Sequence, residues 1–427
     1  MAAGPDRSRH DRALQAAVER FGGQPSINGI DLGFKVRRAS RSGELAIRFY
    51  VCCKQPESQV PAAQRIPRSF AGITTDVIEA TCSVLLPMED SHGRGAQPEH
   101  RRRWDPVRPG LSISRCHGPA GTLGTVVYDN ATGAPALLSN WHVLVGRDGR
   151  IKDAVLQPAR EDGGREDRDV VGAVERQVLG LQGDAAIALL NHSRGCVREP
   201  LGTEVTLHGA RSVRLGEVLH KSGRTSGMTA ARVDGIGRYY LEYPVGRLAM
   251  DGFMLAPVDG GRVEISAGGD SGSVWFDPLS GEGVGLHVAG DTGSAASPEY
   301  AMACHLPAVL SALDVSLAPG AKPAVDSWRE LAATWAMASQ PGLDQLRGLL
   351  AEAGDAKRSL LRQLRGYLAK PGSEVLYRDP EGQVQVVLEG NELQLRVQVQ
   401  ELLPASQGER GTRGRRAKKN EPRGCGA

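Results

Sequence analysis

Gly268-Gly269-Asp270-Ser271-Gly272-Ser273 is the stretch from which the rest of this chain can be read. A serine stands between glycines, directly after an aspartate, and the apolar run Val274-Trp275-Phe276 follows. Glycines let the backbone turn sharply and bring its N–H groups close to a bound carbonyl. A serine on such a turn is a candidate nucleophile, provided a base and an orienting carboxylate can be found for it. A plain Gly/Ser turn between two strands fits the six residues equally well, so the decision lies elsewhere in the chain.

Working outward, residues 111–316 have the texture of an all-β protein. Short apolar runs alternate with turn signals at close spacing, among them Gly124 to Tyr128, Ala136 to Leu138, Ala185 to Leu190, Gly252 to Leu255 and Val284 to Val288. That pattern predicts a barrel or sandwich. Ala301 to Leu313 is expected to close the region as a helix. The 54 glycines and 25 prolines favour many turns over a helical bundle.

Two of the ten histidines, His142 and His287, lie inside apolar runs. His142 ends the run Ala136-Leu-Leu-Ser-Asn-Trp-His-Val-Leu144, where an imidazole at the end of a buried strand can face a cleft. Asp184 opens the apolar strand Gly183-Asp-Ala-Ala-Ile-Ala-Leu-Leu190, and a carboxylate there is costly unless paired. Pairing with a histidine offsets the cost and fixes the tautomer of the base. Asp153, Asp167 and Asp169 lie in polar, loop-like stretches that need no such partner.

The order His142, Asp184, Ser271 resembles that of the trypsin-like, chymotrypsin-fold serine peptidases of intracellular bacterial type. Ser-Asn-Trp-His-Val looks like the histidine motif of that family, Gly-Asp-Ala-Ala-Ile-Ala like its aspartate motif, and Gly-Gly-Asp-Ser-Gly-Ser like its nucleophile motif. The resemblance covers about residues 111–316, and three motifs in order are far more specific than any one. It implies a mainly β, two-barrel chymotrypsin-like peptidase domain and a serine endopeptidase mechanism. Ser271 attacks, His142 takes and returns the proton, and Asp184 orients the imidazole. The N–H groups of Gly269 and Ser271 form the oxyanion hole, and Asp270 holds the loop. Ile265 falls near the floor of the specificity pocket with no carboxylate there, so Arg/Lys preference is not expected. His287, in a Gly-x-His segment, is placed to meet Glu or Gln of a substrate with help from Ser266. The alternative reading is a catalytically silent peptidase-fold interaction module.

The remaining chain surrounds that domain. Residues 1–87 read as a small α/β domain, with a helix from Arg9 to Phe21 carrying Leu14, Val18 and Phe21 at helical spacing and stopped by Gly22-Gly23. Residues 88–110, with His100-Arg101-Arg102-Arg103, read as a basic linker. Residues 325–403 read as a C-terminal α+β region: three helices, then a β meander over Val375–Arg378, Val384–Leu388 and Leu393–Val399. Residues 404–427 are Arg/Lys/Gly-rich and are expected to be a disordered tail. Lys221-Ser-Gly-Arg-Thr-Ser-Gly227 lacks the spacing of a phosphate loop and is expected to turn the chain into the second barrel.

Composition bounds the partners. A net charge of +3 gives no overall nucleic-acid signal, and the basic segments lack interleaved aromatics, so no nucleic-acid role is expected. No apolar run reaches the ~20 residues that cross a bilayer, so no membrane partner is expected. The start of the chain shows no secretory h-region, and the seven irregularly spaced cysteines suit free thiols in a reducing cytoplasm. No Cys/His cluster has metal-ligand spacing, so neither a metal nor another cofactor is expected. The expected partner is a protein or peptide substrate. The family's disulfide framework and its Ile-Val-Gly-Gly activation site are missing, which argues against activation by a newly freed N-terminus.

Overall fold

The computed structural model describes residues 5–37, 40–80, 82–84, 98–259, 263–291 and 299–318, and the strands at 374–378, 384–389 and 392–397. The chain divides into two units, Met1–Lys322 and Pro323–Ala427. The first unit is mainly β and is built on two curled sheets.

Its N-terminal part comprises α1 (Pro5–Phe21), β1 (Ile27–Arg37), β2 (Ser40–Val51) and β3 (Ile73–Glu79). Ala13, Ala17 and Phe21 recur at helical spacing and pack on Ile30, Ile47, Phe49 and Ile73. The helix stops at Gly22, whose N–H still reaches the carbonyl of Val18 at 2.9 Å.

The first sheet contains β4 (Ser112–Arg115), β5 (Thr125–Asp129), β6 (Pro135–Ser139), β7 (Ala154–Leu156), β8 (Val170–Gly180) and β9 (Gly183–Leu190). They lie in the order β5-β6-β9-β8-β7-β4, and β4 pairs onward with Gly121–Thr122, which leads straight back into β5. The sheet therefore curls on itself. One helical turn, α2 (Trp141–Leu144), follows β6.

The second sheet contains β10 (Val218–Gly223), β11 (Gly227–Tyr243), β12 (Gly246–Pro257), β13 (Val274–Phe276), β14 (Glu282–Asp291) and β15 (Ala301–His305). Their order is β10-β13-β14-β15-β12-β11, and β11 pairs back onto β10, which closes a barrel. Leu219, Val233, Phe253, Leu255, Trp275 and Val284 fill it. The helix expected over Ala301–Leu313 is a strand as far as His305. Gly252↔Cys304 on β12 and Leu286↔Cys304 on β14 fix it in the sheet, and only Leu306–Ala312 forms a helix, α3. The small, alternating residues of Ala301-Met-Ala-Cys-His305 suit a strand buried on both faces.

The hairpin β11–β12 is longer than the barrel. Val218↔Arg232 to Gly223↔Gly227 joins β11 to β10, and a bulge follows between Val233 and Gly235. Past the bulge β1 takes over, pairing from Gly33↔Gly235 to Gly29↔Tyr239, with β2 and β3 beyond it. The strands of residues 27–79 thus extend the second sheet. A fully buried ionic cluster marks the join. Arg48 binds Asp31 in bidentate fashion at 2.7 Å and Asp234 at 2.8 Å. The hydroxyls of Tyr50 and Tyr239 donate to Asp31 at 3.0 and 2.8 Å. A Cβ on Gly235 would strike both the Arg48 guanidinium and the Asp31 carboxylate, so glycine makes room for the pair.

Residues 98–110 are packed against the barrels. The carbonyl of Arg102 and the amide of Trp104 hold the Gln157 side chain at 2.8 and 3.1 Å. Arg103 reaches Asp169 at 3.1 Å, and His100 lies 3.1 Å from the hydroxyl of Ser222. Asp169, which the sequence placed in an ordinary polar loop, is fully buried and paired with Arg103 and Arg168.

In the second unit, β16 (Glu374–Arg378), β17 (Val384–Glu389) and β18 (Glu392–Val397) form an antiparallel meander with Val375↔Val387 and Val386↔Leu395 in register. The three helices and the basic tail expected beside it lie outside the described residues.

Candidate active site

The two curled sheets meet at three loops. The first follows β6, where Asn140 caps the turn α2 that carries His142. The imidazole thus sits one residue past the helix start, slightly beyond the strand end expected from sequence. Asp184 is the second residue of β9, and its main-chain carbonyl accepts from the Asn140 amide at 2.6 Å, which locks the two elements together.

The carboxylate of Asp184 is fully buried and accepts three hydrogen bonds. Oδ1 takes the main-chain N–H of His142 at 3.1 Å. Oδ2 lies 2.5 Å from Nδ1 of His142 and also takes the hydroxyl of Tyr243 at 2.8 Å. A carboxylate at Nδ1 keeps the proton on that nitrogen, which leaves Nε2 with a free lone pair. Nε2 is buried and has no hydrogen-bond partner.

The third loop carries Ser271, which is buried between the sheets. The N–H of Thr122 donates to the carbonyl of Ser271 at 2.8 Å. The N–H of Gly272 donates to the carbonyl of His287 at 3.0 Å, and the N–H of His287 to Ser273 at 2.8 Å. Gly272 has φ of 93° and crosses so close to β6 that a Cβ there would strike the Ser139 hydroxyl and lie 3.2 Å from the Asn140 nitrogen. The nucleophile loop and the histidine loop are therefore in contact. No hydrogen bond joins Ser271 Oγ to His142 Nε2; Oγ lies 3.5 Å from the carbonyl of Val288.

The Gly268–Gly269 peptide is held from behind. Thr225 Oγ1 donates to the carbonyl of Gly268 at 2.7 Å, and Thr122 Oγ1 donates to the carbonyl of Gly269 at 2.9 Å. Across a trans peptide the N–H points opposite to the C=O, so the N–H of Gly269 faces away from Thr225. Among the described residues neither that N–H nor that of Ser271 has an acceptor. Two such donors beside one hydroxyl can together receive an anionic oxygen.

Asp270 fastens the loop to the β10–β11 turn. Its carboxylate accepts from Lys221 Nζ at 2.9 Å, the Ser226 hydroxyl at 2.5 Å, and the N–H groups of Thr225, Ser226 and Ala267 at 2.9, 3.1 and 3.0 Å. Lys221 and Asp270 are both fully buried. Burial alone would raise the carboxyl, but Lys221 and Ser226 outweigh it and hold Asp270 well below the usual carboxylate range. The stretch 221–227, read from sequence as a turn into the second barrel, is thus also the clasp of the nucleophile loop.

The residues expected at the specificity pocket all belong to the part of the chain that builds the second barrel. Ile265 is buried in its core. Ser266 is buried with its hydroxyl unpaired. His287 is buried on β14, and its Nδ1 faces Trp275 Nε1 at 3.5 Å. Burial, then the charge of Lys221, pushes His287 down to about 3, so it is neutral near pH 7. The sequence showed no carboxylate beside Ile265. The fold brings one there: Glu299 Oε1 accepts from the N–H of Ile265 at 3.3 Å.

Tyr243, Lys221, Thr225, Ser226 and Thr122 were not identified from sequence. Tyr239, Leu241 and Tyr243 share one face of a strand by their spacing of two, which marks Tyr243 as inward-facing but does not name its partner. Outside this site, the fold brings one ligand atom each of Cys116, His117 and Glu166 within 4.8 Å of one another, a cluster that sequence spacing conceals. Its thiol is pushed up to about 11 by burial and by Glu166, which itself pairs with Arg160 at 3.1 Å. Among the described residues five cysteines are free, and no helix is long and apolar enough to cross a membrane.

The sequence matches no family model and no curated protein. Among solved structures it is similar to the Nocardiopsis protease NAPase, 17% identical with a TM-score of 0.37 over 49% of this chain and 98% of that one. It is similar to a glutamic-acid-specific serine protease that uses a histidine triad in substrate binding, 19% identical with a TM-score of 0.38 over 49% and 99%. It is also similar to Thermobifida fusca protease A, 16% identical with a TM-score of 0.37 over 50% and 100%.

Proposed function

We propose that this protein is a serine endopeptidase whose triad is His142, Asp184 and Ser271. One observation carries the reading: a buried histidine is bound through Nδ1 to a buried carboxylate, with Nε2 unpartnered, beside a serine loop with two free N–H groups. Nε2 takes the proton as Ser271 Oγ attacks a peptide carbonyl, then delivers it to the leaving amine. Water repeats the sequence on the acyl-enzyme and releases the second product. The N–H groups of Gly269 and Ser271 stabilise the oxyanion, each worth about 2.7–4 kcal/mol in the transition state. Asp184 orients the imidazole through Nδ1 and stabilises the imidazolium.

Two observations bear on specificity. A neutral His287 offers a hydrogen bond suited to Glu or Gln at the position before the cut, with Ser266 adding a hydroxyl. Glu299 beside Ile265 already accepts from the Ile265 N–H, and we propose no preference for Arg or Lys. The wider separation of Ser271 Oγ from any partner, 3.5 Å at the nearest, is what favours the second reading, a silent interaction module.

A fluorophosphonate probe together with profiling of cut sites tests all of these. Labelling of wild type and its loss in Ser271→Ala support the peptidase. No labelling and no cleavage by wild type give the silent module. Cuts after Glu or Gln assign the pocket to His287, and cuts after Arg or Lys overturn that assignment.

A further inference from the structure

The feature left unused by the triad is the distal half of the β11–β12 hairpin. Past the bulge at Val233/Gly235 β11 pairs with β1 in place of β10, the pairing of β12 with β15 ends at Gly252, and the hairpin end reaches β9 of the other sheet. There the Tyr243 hydroxyl donates to Asp184 Oδ2 at 2.8 Å, the same oxygen that meets His142 Nδ1. The Tyr243 ring is buried and packs edge-on against Trp141, with centroids 6.3 Å apart. Trp141 is fixed in turn by Gln177 at 2.7 Å.

The hairpin end is also tied to the N-terminal strands. Arg247 on β12 donates to the carbonyls of Gln24, at 3.3 Å, and Ile27. Its guanidinium lies over the Tyr240 ring, 4.8 Å from the centroid. On the other edge, β1 pairs with β11 up to Tyr239.

We infer that Tyr243 is a positioning residue for the His142–Asp184 pair, and that the N-terminal strands hold it in place through the hairpin. This rests on the peptidase reading above. The chemistry follows from donor counting. Asp184 is fully buried, so its lone pairs must be satisfied by protein groups. The Tyr243 hydroxyl fixes the direction of Oδ2 and lowers its basicity, which keeps the shared proton on Nδ1 when His142 becomes charged. The hydroxyl stays protonated throughout, because burial and then the charge of Asp184 push Tyr243 well above 10.

Two other titratable groups lie near the pair. Cys304 on β15 is pushed up to about 12 by burial, and His287 on β14 is pushed down to about 3. Behind His287, Lys221 and Asp270 form a buried ion pair at 2.9 Å. Gln177 on β8 and Trp141 on α2 do not titrate.

Tyr243→Phe in the full-length chain tests the inference, because it keeps the ring and removes only the hydroxyl. Two readouts are taken: the far-downfield proton resonance of His142 Nδ1–H, which needs no substrate, and the pH dependence of kcat and kcat/KM. A more basic Asp184 favours the imidazolium. The resonance is expected to move further downfield, the acid limb of kcat/KM to higher pH, and kcat to fall about tenfold at unchanged KM. Arg247→Ala, which frees the hairpin without touching Tyr243, is expected to shift both readouts in the same direction and by less. An unchanged resonance and pH profile in Tyr243→Phe overturn the positioning role. A shift in Tyr243→Phe with none in Arg247→Ala overturns the part assigned to the N-terminal strands. If wild type proves inactive, the resonance still decides the contact independently of the peptidase reading.

Discussion

Replacing Lys221 by methionine removes one charge from a fully buried pair and leaves a side chain of similar length. At 2.9 Å and an effective dielectric of about 20, the attraction between Lys221 and Asp270 amounts to about 6 kcal/mol. Much of that is offset by desolvation of both ions, so the pair adds little over an apolar replacement of both partners. Removing Lys221 alone is different, because Asp270 stays buried with its charge. The expected loss is about 3–5 kcal/mol, a large part of a typical stability of about 5–15 kcal/mol. The four remaining donors to Asp270 place the effect at the lower end. Urea denaturation of wild type, Lys221→Met, Asp270→Asn and the double variant measures it as a coupling energy. The double variant is expected to be more stable than the sum of the two singles predicts.

The pH dependence has a definite sign. In wild type the folded carboxyl lies below its unfolded value, near 3.9, so its contribution is present above that pH and is lost as pH falls through the folded value. Without Lys221 the folded carboxyl rises relative to wild type, so the loss of stability is largest at neutral pH. The gap between the two proteins therefore narrows as pH falls below about 5. A Lys221→Met protein within about 1 kcal/mol of wild type at pH 7, with no coupling in the cycle, would falsify this account of the loop.

Two further outcomes are expected. Thr225→Val keeps the shape of the side chain but frees the Gly268 carbonyl, so the peptide that presents the Gly269 N–H is no longer held from behind. Active-site-titrated kinetics should show kcat reduced about 10- to 100-fold with KM nearly constant, and an unchanged kcat would mean that the Thr122 contact suffices. Arg48→Met leaves Asp31 and Asp234 buried without their cation and should cost about 3–5 kcal/mol in chemical denaturation. Retained stability in that variant would show that the join between β1 and β11 does not depend on the ionic cluster.

The sequence by itself determined the β class, the sharp glycine turn at Ser271 and the need of Asp184 for a buried partner, because each is a local signal. Alternation marks a strand, glycines mark a turn, and a carboxylate opening an apolar strand demands a partner. The same logic fails where a strand is buried on both faces, and Ala301–His305 was read as helix for that reason. The tertiary structure alone decided what stands opposite each buried group. Spacing shows that Lys221 and Tyr243 belong to strands, but barrel closure sets Lys221 against Asp270, and the length of the β11–β12 hairpin brings Tyr243 to Asp184. Glu299 reaches Ile265, and Arg48 reaches Asp234 across 186 residues, by the same means. Local chemistry tells which groups cannot stay alone in a low-dielectric interior, and only the register of long-range strand pairing selects the partner.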